Sequence, residues 1–284
     1  MEYSQPISVV ITTYNRSAAL LAVLGALSRQ TDKNFDVIVA DDGSQPQHRL
    51  RILEAAVSQS LGLTHVWHPD VGFTASKVRN RGVSLANSNY LLLLDGDCVP
   101  EQDFIARQKS LAEPGFFMNG SRVLLSPALT QKVENEGEQV DGRSASYWLA
   151  QRMRGHASKL SGLVRLPDWR GRINRDFIWK GIRSCNMGVW KCDFEQIDGF
   201  DESFVGWGHE DADFVLRLHH AGVARKNGFC ATEVYHLWHK ESSRAGESNN
   251  ANVVSQRVTT AIIRATLGYS QARINDDVVI TRLG

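Results

Sequence analysis

The 284-residue sequence has no long hydrophobic run. Its strongest, residues 90–94, falls far short of the ~18–20 apolar residues that a membrane span needs. No leader is expected either, because residues 1–6 are polar and short ahead of the first strand-like segment. Neither sign of charge is in excess, with 32 Lys and Arg against 31 Asp and Glu. That balance argues against a nucleic-acid binder, whose affinity would rest on many phosphate-facing cations. Cysteine is scarce, and Cys98, Cys185, Cys192 and Cys230 form no C-x-x-C pair. A chain this long needs no disulfide staples, so reduced thiols in a cytoplasmic protein are expected. Internal repeats, low-complexity tracts and an H-E-x-x-H zinc pattern are also missing. What is present is an ordinary globular composition, 42% hydrophobic and 22% charged, enough for one large α/β domain or a core with an appended lobe.

The N-terminal half alternates strand and helix. Residues 7–13 are β-branched and apolar, and a helix fits residues 17–29, with Ser17 as N-cap and Leu20, Leu21, Leu24 and Leu27 on one face. Strands are expected at residues 35–40, 63–67 and 90–94, with helices at 47–59 and 75–86. Strands joined by helical crossovers imply a mostly parallel sheet covered on both faces. Three of these strands end in polar clusters: Thr12 to Arg16, Asp41 to Ser44, and Asp95 to Asp97. Ligands of open α/β sheets bind along that carboxyl edge, so three distant segments point at one cleft.

Asp95-Gly96-Asp97 sets two carboxylates at the mouth of a buried strand. They repel unless a cation lies between them or between them and a ligand, and hard oxygens favour magnesium or manganese; the alternative is a turn with two solvated acids. Asp41-Asp42-Gly43-Ser44 alone reads as a turn, but beside the other strand ends it suits a nucleotide pocket, where a carboxylate can accept a uracil imide N–H. Arg79 and Asn80 either reach that ligand or form a solvated helix face. In Gly206-Trp207-Gly208-His209-Glu210-Asp211-Ala212-Asp213, acids open a helix, which the macrodipole favours by itself. An indole beside carboxylates is also a way to hold a sugar. His236 and His239, three residues apart after an apolar segment, are surface residues or metal ligands. Residues 142–183 hold ten Arg or Lys against Asp168 and Asp176, interleaved with Trp148, Trp169 and Trp179. Such a stretch is a solvated insertion with a local core, or a surface for anionic lipid or a pyrophosphate-linked acceptor. A terminal amphipathic helix fits residues 253–267.

The segments 7–16, 39–44 and 94–97 resemble the N-terminal half of family 2 glycosyltransferases with the GT-A fold, a Rossmann-like, mostly parallel sheet flanked by helices. Asn186-Met187-Gly188, Gly199-Phe200-Asp201-Glu202 and Gly206-Trp207-Gly208-His209-Glu210-Asp211 resemble the C-terminal part shared with β1,4-galactosyltransferases and bacterial chondroitin-type polymerases. The resemblance covers roughly residues 5–125 and 180–242. It implies a UDP-sugar donor held by Thr12, Tyr14, Arg16, Asp41 or Asp42, and Arg79, with Asp95 near the ribose or metal. It further implies manganese or magnesium on Asp97, His239 and His236, and Asp211 as catalytic base. Glu210, Trp207, Asp211 and Asn186 would hold the acceptor, a saccharide or lipid-linked saccharide. His209 stands where the galactosyltransferases carry glycine, and Ala212 interrupts their acidic run; both bear on acceptor identity.

The expected plan is a nucleotide-sugar-binding half over 1–125 and an acceptor-binding, catalytic half over 126–245 with the basic insertion 142–183. A helical extension follows over 246–284. The expected activity is metal-dependent, inverting transfer of a hexose or N-acetylhexosamine, with galactose or N-acetylgalactosamine favoured, in bacterial surface polysaccharide or glycan synthesis. The site would be cytoplasmic, with peripheral contact at the inner membrane face through 142–183. A nucleotidyltransferase would want a glycine-rich loop after the first strand, and none is there. A non-catalytic homologue would have lost an acid from one of the two acidic motifs. A module of a polysaccharide polymerase remains an alternative.

Overall fold

The structure is a computed structural model that describes residues 5–179, 181–204, 206, 208–240, 247–271 and 277–284. Strand β1 (Ile7–Thr13) shows how the layers arise. Ile7, Val9 and Ile11 point to one face of the sheet and Val10 to the other. The same alternation continues in β2 (Phe35–Asp41) and β4 (Tyr90–Asp95), so both faces are apolar and both must be covered. Helix α1 (Ser17–Ser28) covers the first face with Leu20, Val23, Leu24 and Leu27, joined by α2 (Pro46–Ser58) through Ile52 and Ala56. Helix α3 (Ala75–Ser84) covers the second with Val78 and Val83. Each side chain so buried contributes about 1.5–3 kcal/mol of transfer free energy, which is what orders the crossovers.

With β3 (Leu63–Trp67), the strands β3, β2, β1 and β4 are parallel, as the alternation implied. Beyond β4 the sheet is mixed. Strand β9 (Asn186–Trp190) runs antiparallel to β4 and to β6 (Phe116–Asn119), and β6 is parallel to β10 (Ala224–Asn227). The start of β9 and the ends of β6 and β10 therefore share the edge on which β1, β2 and β4 finish. The two-residue β8 (Ile173–Asn174) closes that side. A second sheet of β5 (Cys98–Pro100), β11 (Glu233–His236) and β7 (Ser121–Leu124) stands beside the first. Four further helices pack around this frame: α4 (Phe104–Leu111), α5 (Pro127–Gln131), α6 (Ala145–Met153) and α7 (Lys191–Gln196). Helix α8 (Glu210–His220) adds Phe214, Val215 and Leu218 to the second face.

Two expectations change. The terminal helix is α9 (Glu247–Val258), not residues 253–267. The hydroxyls of Thr259 and Thr260 bond back to the carbonyls of Gln256 and Arg257, competing with helical hydrogen bonds and ending the helix there. The extension is also not helical throughout: it returns as β12 (Val279–Leu283), an antiparallel edge strand on β3. The four cysteines are unpaired, as expected. Among the described residues no helix is long and apolar enough to cross a membrane.

Candidate active site

The parallel register sets Thr12 beside Asp95, and the Thr12 hydroxyl donates to Asp95 Oδ1 at 2.9 Å. The chain then turns at Gly96, whose N–H donates to the Thr12 carbonyl at 2.8 Å. A Cβ at Gly96 would come 2.9 Å from that oxygen, so the residue between the two acids has to be glycine. The neighbouring loops are laced by Asn15, whose N–H bonds the Ser44 hydroxyl while its side-chain oxygen accepts from Gln45 N–H. Tyr14 is half exposed over this edge, with its hydroxyl on Asp70 at 2.7 Å.

The two acids after β2 separate in role. Asp41 is fully buried, holding His65 Nε2 at 3.0 Å and Ser44 N–H at 2.7 Å. It closes the strand end and does not face the cleft, a correction to its expected place in the donor pocket. Asp42 lies nearer the surface, its carboxylate on His68 Nε2 at 2.8 Å and on Thr74 N–H at 3.0 Å.

Asp97 meets both histidines. His236 sits opposite Cys98 in the β5–β11 ladder, which brings its Nε2 to 3.7 Å from Asp97 Oδ1. His239 Nε2 lies 3.5 Å from Asp97 Oδ2. Burial lowers the His236 pKa against the pull of Asp97, leaving a neutral imidazole with a lone pair to give. Arg16 is at this cluster rather than over a base pocket: its Nη1 is 2.7 Å from Asp97 Oδ2, and its other nitrogens hold Glu134 and the Trp238 carbonyl. Among the described residues, ligand atoms of Asp97, Cys98 and His236 lie close enough together to share a metal ion, and His239 stands beside Asp97.

On the other side of Asp95, the N-terminus of α8 carries the second pair of acids. Gly206, Gly208 and His209 all have positive φ, reversing the chain just before Glu210. His209 is the non-glycine among them, and its ring packs 5.3 Å from Trp179. Trp207 lies outside the described residues. Asp211 Oδ2 accepts the Ser184 N–H at 3.0 Å, whereas its Oδ1 has no hydrogen-bond partner among the described residues. The buried Arg79 links the two halves, with nitrogens 3.4 Å from Asp95, 3.5 Å from Glu210 and 3.8 Å from Asp211. Burial opposes its charge, but the three carboxylates outweigh that and raise its pKa. Burial, and next the Asp211 charge, push the Glu210 carboxyl up to about 7, with Arg79 pulling the other way.

Several motif residues turn out to be scaffold. The Asn186 amide bonds the carbonyls of Ser121 and Thr232 and accepts from Gln108, so its polar atoms are committed inside, not offered to an acceptor. Asn80 is tied to Phe200 and Glu202 instead of reaching a ligand. Asp201 receives Thr266 N–H and Arg257, and Asp213 receives Arg217 and Arg257. Arg217 and Arg257, which sequence patterns do not single out, thereby brace α8 from behind. The basic stretch is partly internal too. Trp148 is buried and stacked on Tyr235 at 4.1 Å, and Arg172 is buried with its nitrogens on the carbonyls of Leu166, Pro167, Asn227 and Phe229.

A mixed sheet, parallel over β3, β2, β1 and β4 and covered by helices on both faces, is the GT-A class of α/β fold. Solved structures agree: a mannosyltransferase of Pyrobaculum calidifontis in complex with GDP-Man and Mn2+ superposes with a TM-score of 0.55 at 15% identity, covering 84% of this chain and 59% of that one. S. aureus TarS in complex with UDP gives 0.55 at 16% identity, covering 94% and 68%. Residues 8–125 match the model of glycosyl transferase family 2, and residues 171–240 that of the N-terminal domain of galactosyltransferase. The first part of the chain is thus similar to the family 2 glycosyltransferases, and a later part to the galactosyltransferase domain. The validoxylamine A glucosyltransferase of Streptomyces hygroscopicus subsp. jinggangensis is 29% identical over 227 residues, 76% of this chain and 52% of the relative. The chondroitin synthase of Escherichia coli is 23% identical over 284 residues, 93% of this chain and 38% of the relative. The chain thus spans about half, or less, of the length of these curated relatives.

Proposed function

We propose that the chain transfers a hexose or N-acetylhexosamine from a UDP-sugar to a hydroxyl of a saccharide acceptor, with inversion at the anomeric carbon and with a divalent metal. The observation that carries this reading is one carboxyl edge with Asp97, His236 and His239 on one side of Asp95, and on the other Asp211, whose Oδ1 accepts no hydrogen bond among the described residues and lies 3.8 Å from Arg79. Asp97, His236 and His239 would hold manganese, which when bound supplies positive charge to a diphosphate leaving group. Thr12, Tyr14, Arg16, Asp42, Asp95 and Arg79 line the donor side. Asp211 takes the proton of the acceptor hydroxyl; the new C–O bond forms as the bond to the diphosphate breaks, and one displacement inverts the centre. The Ser184 N–H fixes the carboxylate so that Oδ1 is the oxygen that acts. Glu210, protonated below pH of about 7, can donate a hydrogen bond to a sugar oxygen.

The relatives' names support sugar transfer in glycan or polysaccharide synthesis. TarS, solved with UDP, supports a uridine donor, and the mannosyltransferase, solved with Mn2+, supports the metal. Galactose or N-acetylgalactosamine is favoured by the match to the galactosyltransferase domain. The exposed Trp169 and Trp179 leave room for a peripheral contact with a membrane carrying a lipid-linked acceptor.

The test is a thermal-shift panel of UDP- and GDP-sugars, each with manganese and with chelator. A ligand at 100 times its Kd adds about 2.7 kcal/mol, readily seen as a raised Tm. A shift confined to UDP-sugars with manganese is expected. Equal shifts with chelator, or a preference for GDP-sugars, would overturn the metal or the donor respectively.

A further inference from the structure

A cavity of about 320 Å³ opens on the same carboxyl edge beyond Asp95, between the ends of β6 and β10 and the start of β9. Arg122, Lys159, Arg183 and Arg225 line it, and no acid does. Among the described residues none of the four has a carboxylate within ion-pair distance. Arg122 has no hydrogen-bond partner there at all. Arg225 holds only the Ile178 carbonyl at 3.2 Å, and its buried Nε is unpartnered. Lys159 bonds the Ser121 hydroxyl at 2.5 Å, and Arg183 bonds the carbonyl of its neighbour Ile182. Arg122, Lys159 and Arg225 are half-buried and Arg183 is exposed, and like charges gathered around one cavity repel. Burial lowers the Lys159 pKa against the attraction of Glu233, with Arg122 adding a smaller repulsion; burial likewise lowers that of Arg225. Such an arrangement is kept where an anion completes it, and two guanidiniums match the planar, bidentate acceptors of carboxylate and phosphate.

The cavity adjoins the reacting groups without including them. Cys185, in its wall, accepts the Asp95 N–H at 3.2 Å through its carbonyl, and the preceding Ser184 donates to Asp211. On its other flank Arg122 pairs with Val234 in the β7–β11 ladder, two residues before His236. The donor edge, over β1 and β2, lies on the opposite side of β4. A group in the cavity is therefore on the acceptor side of Asp211, and the volume suits one sugar-sized unit.

We propose that this cavity binds an oxyanion, carboxylate or phosphate, carried by the sugar next to the one that receives the transferred residue, so that the acceptor is an acidic saccharide. The inference rests on the sugar-transfer reading for its orientation, while the anion site itself can be tested separately. Calorimetry on the full chain with UDP and manganese compares two pairs of probes. One is a glucuronate-containing tetrasaccharide and its carboxyl-reduced counterpart; the other is a phosphorylated disaccharide and its dephosphorylated form. The acidic member of at least one pair is expected to bind tenfold or more tightly at low salt, and the pair that shows it identifies the anion. In the Arg122→Gln, Arg225→Gln double variant the preference is expected to fall below threefold. Equal binding within both pairs, no binding by any probe, or a preference that survives the double variant overturns the proposal. UDP-sugar hydrolysis is followed in the same samples. Hydrolysis without a charge preference removes the anion site alone; a charge preference without nucleotide binding or hydrolysis keeps the anion site and removes the donor reading.

Discussion

Asp97 Oδ1 and His236 Nε2 lie 3.7 Å apart although one follows β4 and the other ends β11. The contact exists because β11 pairs with β5, so that a histidine late in the chain is laid against the acid that ends the Asp-Gly-Asp turn. Arg16 sets its guanidinium against the same acid, and a bound metal would have to share or displace it.

If Asp97, His236 and His239 hold a divalent ion, Asp97→Asn and His236→Ala should each weaken UDP binding in manganese by at least about tenfold, the lower range for disturbing a ligand's surroundings. Binding in chelator should stay as in the wild type. Calorimetry with and without manganese reads this directly, and a wild-type affinity indifferent to metal would remove the assignment.

Asp211→Asn keeps an oxygen for the Ser184 N–H but cannot take a proton. Transfer should fall by about 10²–10⁴, the usual contribution of a positioned base, while the UDP-sugar Kd stays within about twofold. Single-turnover kinetics check the first, calorimetry the second. Turnover close to wild type would take the base role away from Asp211.

Glu210 predicts a pH dependence of stability. Its folded pKa, about 7, lies above the ordinary value of 4.5, so between these values the folded chain keeps a proton that the unfolded chain has released. The contribution is fully present below the unfolded pKa and is lost as pH rises to about 7, so the urea midpoint should fall from pH 5 to pH 8. Glu210→Gln should flatten that fall. A wild-type profile rising across this window, or an unchanged slope in the variant, would contradict the burial of this carboxyl.

Arg257 pairs with Asp213 at 2.6 Å and Asp201 at 2.8 Å, both fully buried. Arg257→Ala leaves Asp201 without its cation and should lower unfolding free energy by about 3 kcal/mol in urea titrations. Because α9 braces α8, the same variant should also lower the rate of transfer. Stability within error of wild type would mean that the strap from α9 carries no load on the acidic helix.

The local features could be read directly. The strands at 7–13, 63–67 and 90–94 and the helices between them follow from side-chain periodicity within a dozen residues, and the structure reproduces them within a residue or two. The three polar strand ends, the Asp-Gly-Asp turn and the acids opening α8 were legible for the same reason. The roles within those motifs were less so. Asp41 and Asp42 are identical in sequence terms, yet the histidines of β3 and the loop after it bury one and leave the other nearer the surface. Asn186 and Asn80 read as ligand contacts until their amides are seen to be committed to backbone carbonyls from other elements.

By itself, then, the sequence determined the alternation of elements, the edge on which the polar residues collect and the chemistry those residues can offer. Only the tertiary structure decided that β9 runs antiparallel beside β4, that β11 delivers His236 to Asp97, that Arg79 joins the two acid pairs, and that four cations share a cavity past Asp95. Periodicity is a property of neighbours along the chain, whereas pairing register and the commitment of each polar atom depend on segments from two dozen to more than a hundred residues away.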